Sequence, residues 1–326
     1  MPPKIKGMTS NLTSQSSSSR RFTLMVSGED TIEAGLEQNV PPSGLPQERF
    51  LLGDQLPIAP VLLLGQSDLV VNPNEIIACL QPVHLHATRD HLILMAQSQI
   101  DLTTNESADL LQVALPLIEE DFGSKVLFQG HRDWFIPAGP FASLATHSID
   151  QAHGRNIDWW MPRDTSESGI AKLWRKLQNE IQMLWHIDPI NEARAQQGLP
   201  GINSLWISGI GKLADIQPPE SLRGASQIYG EHPLLAGLAK YLSVPQQGEI
   251  DFSKLVNCFA WIDRPGIAWE GLSTGLLSKQ LDEIEIIDFP KGQTRHRIIT
   301  AKDLNKKSWA FWKKSERLSW QEMISI

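Results

Sequence analysis

The stretch INSLWISGIGK, residues 202–212, decides how this chain is read. Its first half, INSLWIS, reads as a strand. Its second half, Ser208-Gly-Ile-Gly-Lys212, is either a glycine turn that wraps a phosphate with Lys212 as the cation, or a plain strand end. A P-loop needs four residues between its glycines and a Ser or Thr after the lysine, and a dinucleotide fingerprint needs a third glycine. Neither condition is met, so the motif by itself is weak evidence for a phosphate site. Upstream, SESGIAKLWRKLQNEIQMLWHI (166–187) sets Ile170, Leu173, Trp174, Leu177, Ile181, Leu184 and Trp185 on one helical stripe, and Asp188-Pro189 ends it. Downstream, HPLLAGLAKYL (232–242) and LLSKQLDEI (276–284) read as helices. LVNCFAWID (255–263), IEIIDF (284–289) and RHRIIT (295–300) read as strands. This alternation from about residue 200 predicts a three-layer α/β sheet.

Toward the N-terminus, RFTLMVS (21–27) predicts a first strand, while 28–60 has no clear period and IAPVLLLG (58–65) is an apolar run of either type. Residues 72–95 predict two strands around the Thr88-Arg89-Asp90 turn. Thr103 and Glu106 have capping-box spacing before Leu110, Leu111, Ala114, Leu117 and Ile118, a helix that Pro116 is expected to kink or shorten. Residues 124–138 are strand-like, so the middle of the chain, 75–165, reads as α+β.

The 326 residues carry a net charge of -8, which repels nucleic acid unless a local basic patch offsets it. The 41 % hydrophobic content suits a globular core, and eleven tryptophans favour dense packing or a contact surface. Cys79 and Cys258, both in apolar runs, predict buried reduced thiols and a cytoplasmic protein. No apolar run is long enough to span a membrane. The Ser-rich residues 1–20 have no apolar h-region and predict a disordered segment rather than a signal.

Three features carry possible chemistry. His84 and His86, two apart on a strand, share a face and with His91 or Asp90 make a candidate metal set, set against ordinary hydrogen-bonded histidines. GLSTG (271–275) matches the nucleophile-elbow spacing around Ser273. It lacks a strand directly before it, so a helix N-terminal turn is the expectation. The C-terminus mixes Lys302, Lys306, Lys307, Lys313, Lys314 and Arg317 with Trp309, Phe311, Trp312 and Trp320, either a helix that docks by its tryptophans or a nucleic-acid or membrane-surface contact.

LQNEIQMLWHIDPINEARAQQGLPGINSLWISGIGK (177–212) resembles a stretch of the archaeal-type cofactor-independent phosphoglycerate mutases, of the alkaline phosphatase superfamily. Pro189, Asn191, Arg194, Gly198, Asn203, Trp206, Gly209 and Gly211 match that pattern; Asp188 stands where the family has His, and Ser208 where it has Trp. A fainter likeness covers 75–290, with FQGHRDWF similar to a Gly-x-x-Tyr-Arg segment in which Arg132 is the counterpart. PVHLHATRDHLIL, GRNIDWWMP and PINEARAQQGLPGINSLWISGIGK also resemble the RpfE-type bacterial regulatory proteins. The mutase resemblance implies an alkaline-phosphatase-like α/β core from 21–74 and 201–300 and an inserted α+β lid subdomain over 75–200; the basic, Trp-rich composition of 301–326 predicts a C-terminal helix beside them. SGIGK would then be a scaffold turn joining lid to sheet.

That family's chemistry uses two divalent metals held by an N-terminal Asp-Gly, an Asp-x-x-Gly-His-x-x-Asp segment and a later Asp-His pair. Here the first strand ends LMVSGED, Arg264 replaces a ligand, Ile267 takes the His position, and Asp288 lacks its His. The expectation is a degenerate relative with no catalytic residues and no metal cofactor, in a regulatory or binding role toward a small anion or a protein partner. The candidate ligand-binding residues are His84, His86, Arg132, Asn191, Arg194, Asn203 and Lys212. The alternative is a manganese- or zinc-dependent phosphoglycerate mutase or phosphatase using Asp263 and Glu270 with Glu29 or Asp30. A third reading is nucleic-acid or membrane-surface contact through 302–326.

Overall fold

The computed structural model describes residues 19–28, 44–95, 97–304 and 318–324. The chain is a mixed α/β protein with several sheets. The largest runs in the order Gln246–Gln247, Gln227–Tyr229, Cys258–Trp261, Arg21–Met25, Glu283–Asp288, Arg295–Ile299. The first five strands are parallel and the last is antiparallel. The period of two sorts their side chains between two cores. Met25, Phe259, Trp261 and Ile287 pack with Leu234, Leu235 and Leu238 of the helix Pro233–Leu242. Phe22, Leu24, Ala260 and Ile286 pack with Trp269, Leu272 and Leu276 of the helix Pro265–Leu277. Those two helices therefore cover opposite faces.

A second, antiparallel sheet has the order Phe128–Gln129, Trp134–Pro137, Ile77–Val83, Ser204–Gly211. Helices Thr104–Phe122 and Ile170–His186 cover one face, and the stripe foreseen on the latter is buried there through Trp174, Leu177, Ile181 and Trp185. The ambiguous run at 58–65 is a helix, Ile58–Gln66. Ala59 and Leu63 join the core of the second sheet, while Ile58 and Val61 join that of the first. A helix buried on both sides is apolar all round, which is why it showed no period.

The opening stretch is a strand through Gly211, which corrects the expected scaffold turn. Its glycines serve a close approach. Gly209 has φ +63, and a Cβ there would stand 2.7 Å from the Ala59 nitrogen; one on Gly211 would stand 2.8 Å from Pro57 Cα. The register shifts opposite them, between Ile77 and Cys79, and this irregularity bends the strand against the start of the helix Ile58–Gln66.

Other expectations changed for local reasons. Thr103 and Glu106 form the capping box, but the helix Thr104–Phe122 runs past Pro116. Pro116 and Gln112, whose carbonyl loses its partner, are both exposed to water. Asp188-Pro189 also starts an unforeseen helix, Pro189–Gln196, because the Asp188 carboxylate accepts from the Ile190 N–H at 2.9 Å and Pro suits the first turn. No helix spans 276–284: the helix ends at Leu277, and Lys279 turns the chain with φ 60.

Helices Ile58–Gln66 and Pro233–Leu242 cross at two glycines. A Cβ on Gly65 would lie 2.8 Å from the Gly237 nitrogen, and one on Gly237 would overlap the Val61 carbonyl. Gly237→Val is expected to lower stability by about 2 kcal/mol in chemical denaturation, since the packed helices must separate. Wild-type stability would show that the crossing relaxes freely.

Candidate functional site

Four of the candidate residues, Asn191, Arg194 and Asn203 of 177–212 together with His84, meet at one segment, 200–203. Arg194, 1 % exposed, donates from Nε to the Pro200 carbonyl at 2.8 Å, from Nη1 to Glu106 Oε1 at 2.8 Å, and from Nη2 to the Ile100 carbonyl. The His84 Nδ1 lies 2.6 Å from the Gly201 carbonyl. Asn191 donates to the Trp185 and Ile202 carbonyls and accepts from the Ile202 N–H. Asn203 makes the same two-way pairing with the backbone of Leu85, at 2.7 and 3.0 Å. These side chains replace missing backbone partners along a stretch with no ladder of its own. Burial works to raise the Glu106 carboxyl, but hydrogen bonds from Thr103 and Arg194 hold it below the usual carboxylate range.

His86 is exposed on the short strand Leu85–Ala87, its ring centre 6.0 Å from that of His84, and His91 pairs with Asp90 at 2.8 Å. Arg132 is half-buried beside the strand Trp134–Pro137, and Lys212 half-buried after Gly211. Ser273 is buried in mid-helix with its hydroxyl on the Glu270 carbonyl at 3.0 Å, which removes both the elbow and the N-terminal-turn readings. Cys79 and Cys258 are buried and free; burial pushes both thiols up. In the C-terminal region Trp320 opens the helix Trp320–Ile324 and meets Trp269 edge-on at 5.8 Å; Lys306, Lys307, Lys313, Lys314 and Arg317 lie outside the described residues. No described helix is long and apolar enough to cross a membrane.

The topology builds a different site. The strand Gln227–Tyr229 leads into a helix on one face, and its neighbour Cys258–Trp261 leads into a helix on the other. Chain connections thus diverge between two adjacent parallel strands, the place where open α/β sheets form a crevice outside the strands' carboxyl ends. A cleft of about 680 Å³ lies there, lined among others by Glu231, His232, Phe252, Trp261, Asp263 and Arg264. His232 stacks on Trp261, 3.7 Å between ring centres. Its Nδ1 accepts from the Leu234 N–H at 3.3 Å, so the neutral ring carries its proton on Nε2. Burial drives this imidazole down to about 4, with Asp263 acting against it, so it is an uncharged donor at neutral pH. Trp261 Nε1 donates to the Ser27 hydroxyl at 2.7 Å, and Ser27 donates to Asp263 at 2.6 Å. Arg264 is exposed and has no ion pair among the described residues.

The described donors do not fit a pair of divalent cations. Asp263 is engaged by Ser27 and stands next to Arg264. Glu270 opens onto a separate hollow beside Trp320. Asp288 is held by Arg295 at 2.6 Å and Arg297 at 3.0 Å; burial opposes ionisation, but the guanidiniums keep its carboxyl below the ordinary range. Two arginines on one carboxylate repel a metal that approaches it. Glu29 and Asp30 lie outside the described residues.

The cleft residues were legible only in part. His232-Pro233 and Arg264-Pro265 each place a proline at the first helical position after a strand, which marks two helix starts. That the two starts are neighbours follows only from strand order.

No family model matches the chain, and no curated protein matches it. Among solved structures, a cofactor-independent phosphoglycerate mutase from Thermoplasma acidophilum DSM 1728 is 12 % identical, with 86 % of this chain and 90 % of that one covered at a TM-score of 0.36. A Pyrococcus horikoshii protein is 11 % identical, with 94 % and 92 % covered at a TM-score of 0.43. Similarity at this level leaves the function to the cleft itself.

Proposed function

We propose that this chain is a binding protein whose crevice at the carboxyl ends of the parallel strands takes a small organic anion, in a regulatory rather than catalytic role. The observation that carries the reading is Arg264: a guanidinium with no ion pair among the described residues, on the wall of a switch-point cleft beside the neutral His232 donor. It also opens the 13-residue helix Pro265–Leu277, whose dipole adds positive potential at the same end. The sequence resemblance of 177–212 supports an alkaline-phosphatase-like core with an inserted subdomain as the frame. In this reading Asn191, Arg194 and Asn203 hold the frame, and Arg264 and His232 meet the ligand.

Titration with 3-phosphoglycerate at low salt tests it. Arg264→Ala is expected to weaken binding about tenfold, or about 1.4 kcal/mol, with melting unchanged. Equal affinity in the two proteins overturns the assignment. Mutase or phosphatase turnover with added manganese, abolished by Asp263→Ala, overturns the non-catalytic role.

A further inference from the structure

The cleft is larger and less polar than a three-carbon phosphoacid requires. Its volume falls inside the range of roughly 300–1,000 Å³ that encloses ligands of drug size. One wall is apolar: Ile250, Phe252 and Ile267 face the opening, with Ile267 85 % and Phe252 40 % exposed. Apolar side chains so open to water, gathered on one cleft, mark a contact surface. Phe252 is also fixed in place. A Cβ on Gly271 would lie 2.6 Å from Phe252 Cζ, so the ring rests directly on the helix backbone, and Gln280 donates to the Phe252 carbonyl at 3.0 Å. The glycine of GLSTG therefore seats an aromatic wall. At the far end stand the exposed carboxylates of Glu231 and Glu249. Glu249 follows the edge strand Gln246–Gln247 and so starts two strand spacings, roughly 10 Å, from the strand that leads to Arg264, and Glu231, after the strand between them, lies against Gly248.

We infer that the ligand is a phosphate ester of a flat aromatic body, its anion on Arg264 and its ring against the Phe252–Ile267 wall. The inference rests on the anion reading above and narrows it. Two sources share this chemistry, an aryl phosphate and a nucleoside monophosphate. In the second, Glu231 and Glu249 accept the ribose hydroxyls, as carboxylates do in dinucleotide sites.

Calorimetric titration of the full chain with 3-phosphoglycerate, phenyl phosphate and adenosine 5′-monophosphate tests it. At least one aromatic ester is expected to bind tenfold or more tighter than 3-phosphoglycerate. Ile267→Ser combined with Phe252→Leu removes that advantage, and Arg264→Ala weakens every probe that binds. A nucleotide advantage lost in Glu231→Gln with Glu249→Gln assigns the sugar; phenyl phosphate binding as tightly as the nucleotide assigns the simple aryl ester. If 3-phosphoglycerate binds as tightly as both aromatic esters through Arg264, this inference fails and the anion site stands. If no probe binds in an Arg264-dependent way, both fail. Thermal melts of each variant separate lost binding from lost folding.

Discussion

Replacing Arg194 with alanine is expected to lower stability by about 4 kcal/mol, the range found when one member of a buried ion pair is removed. The side chain is 1 % exposed and ties three separate stretches together: the carbonyls before the helix Thr104–Phe122, the Glu106 carboxylate in its first turn, and the Pro200 carbonyl. Alanine leaves the Ile100 and Pro200 carbonyls without that donor and Glu106 with only its Thr103 hydrogen bonds. Arg194→Lys restores only part of the loss, because one ammonium cannot span the planar fork. Urea unfolding should show a lower midpoint with an unchanged slope. A ligand-binding Arg194 gives the opposite pattern, with stability nearly intact and 3-phosphoglycerate binding abolished.

That contrast explains what the sequence could and could not disclose. Periodicity located the helix Ile170–His186 and three of the five parallel strands, Arg21–Met25, Cys258–Trp261 and Glu283–Asp288, because a stripe or an apolar run is a property of neighbours in the chain; Gln227–Tyr229 and Gln246–Gln247 are too short to show one. The capping box at Thr103 and Glu106 was equally local. Asn191, Arg194 and Asn203 looked like ligand-binding groups because their types suit that task, yet each is engaged by backbone 6 to 118 residues away. A polar side chain carries no mark of whether it faces a ligand or a carbonyl. Gly271 misled in a similar way. Its motif GLSTG suggested a helix N-terminal turn, whereas it sits inside the helix Pro265–Leu277 and makes room for Phe252, which precedes it by a full strand and helix start. The cleft itself depends on the order of strands across the sheet, which the sequence order of the strands conceals.

The second large effect concerns Glu48, and it is visible only as a dependence on pH. Glu48 is 4 % exposed in the helix Pro46–Leu52, where its carboxylate accepts from the Leu45 N–H at 2.5 Å. Burial pushes its pKa from 4.5 up to about 7. The Leu45 and Ser148 hydrogen bonds and Arg49 oppose that shift, and the charge of Asp150 adds to it. Asp150 is itself raised, by burial and then by Asp133, with His153 acting against them. Because the folded-state value lies above the unfolded one, the folded protein holds more protons between pH 4.5 and about 7. Stability from this group is therefore complete below pH 4.5, falls through that window and is level above it. The full loss is about 3 kcal/mol, at about 1.4 kcal/mol for each tenfold change in proton affinity. Glu48→Gln keeps an acceptor for Leu45 and cannot ionise. It should match the wild type at pH 4.5 and exceed it by about 3 kcal/mol at pH 8. Subtracting the two denaturation curves cancels the other carboxylates, such as Asp288, whose lowered values act in the opposite sense at more acidic pH. Curves that stay parallel from pH 4.5 to 8 would mean that water reaches Glu48 and that its contact with Ser148 is open in solution.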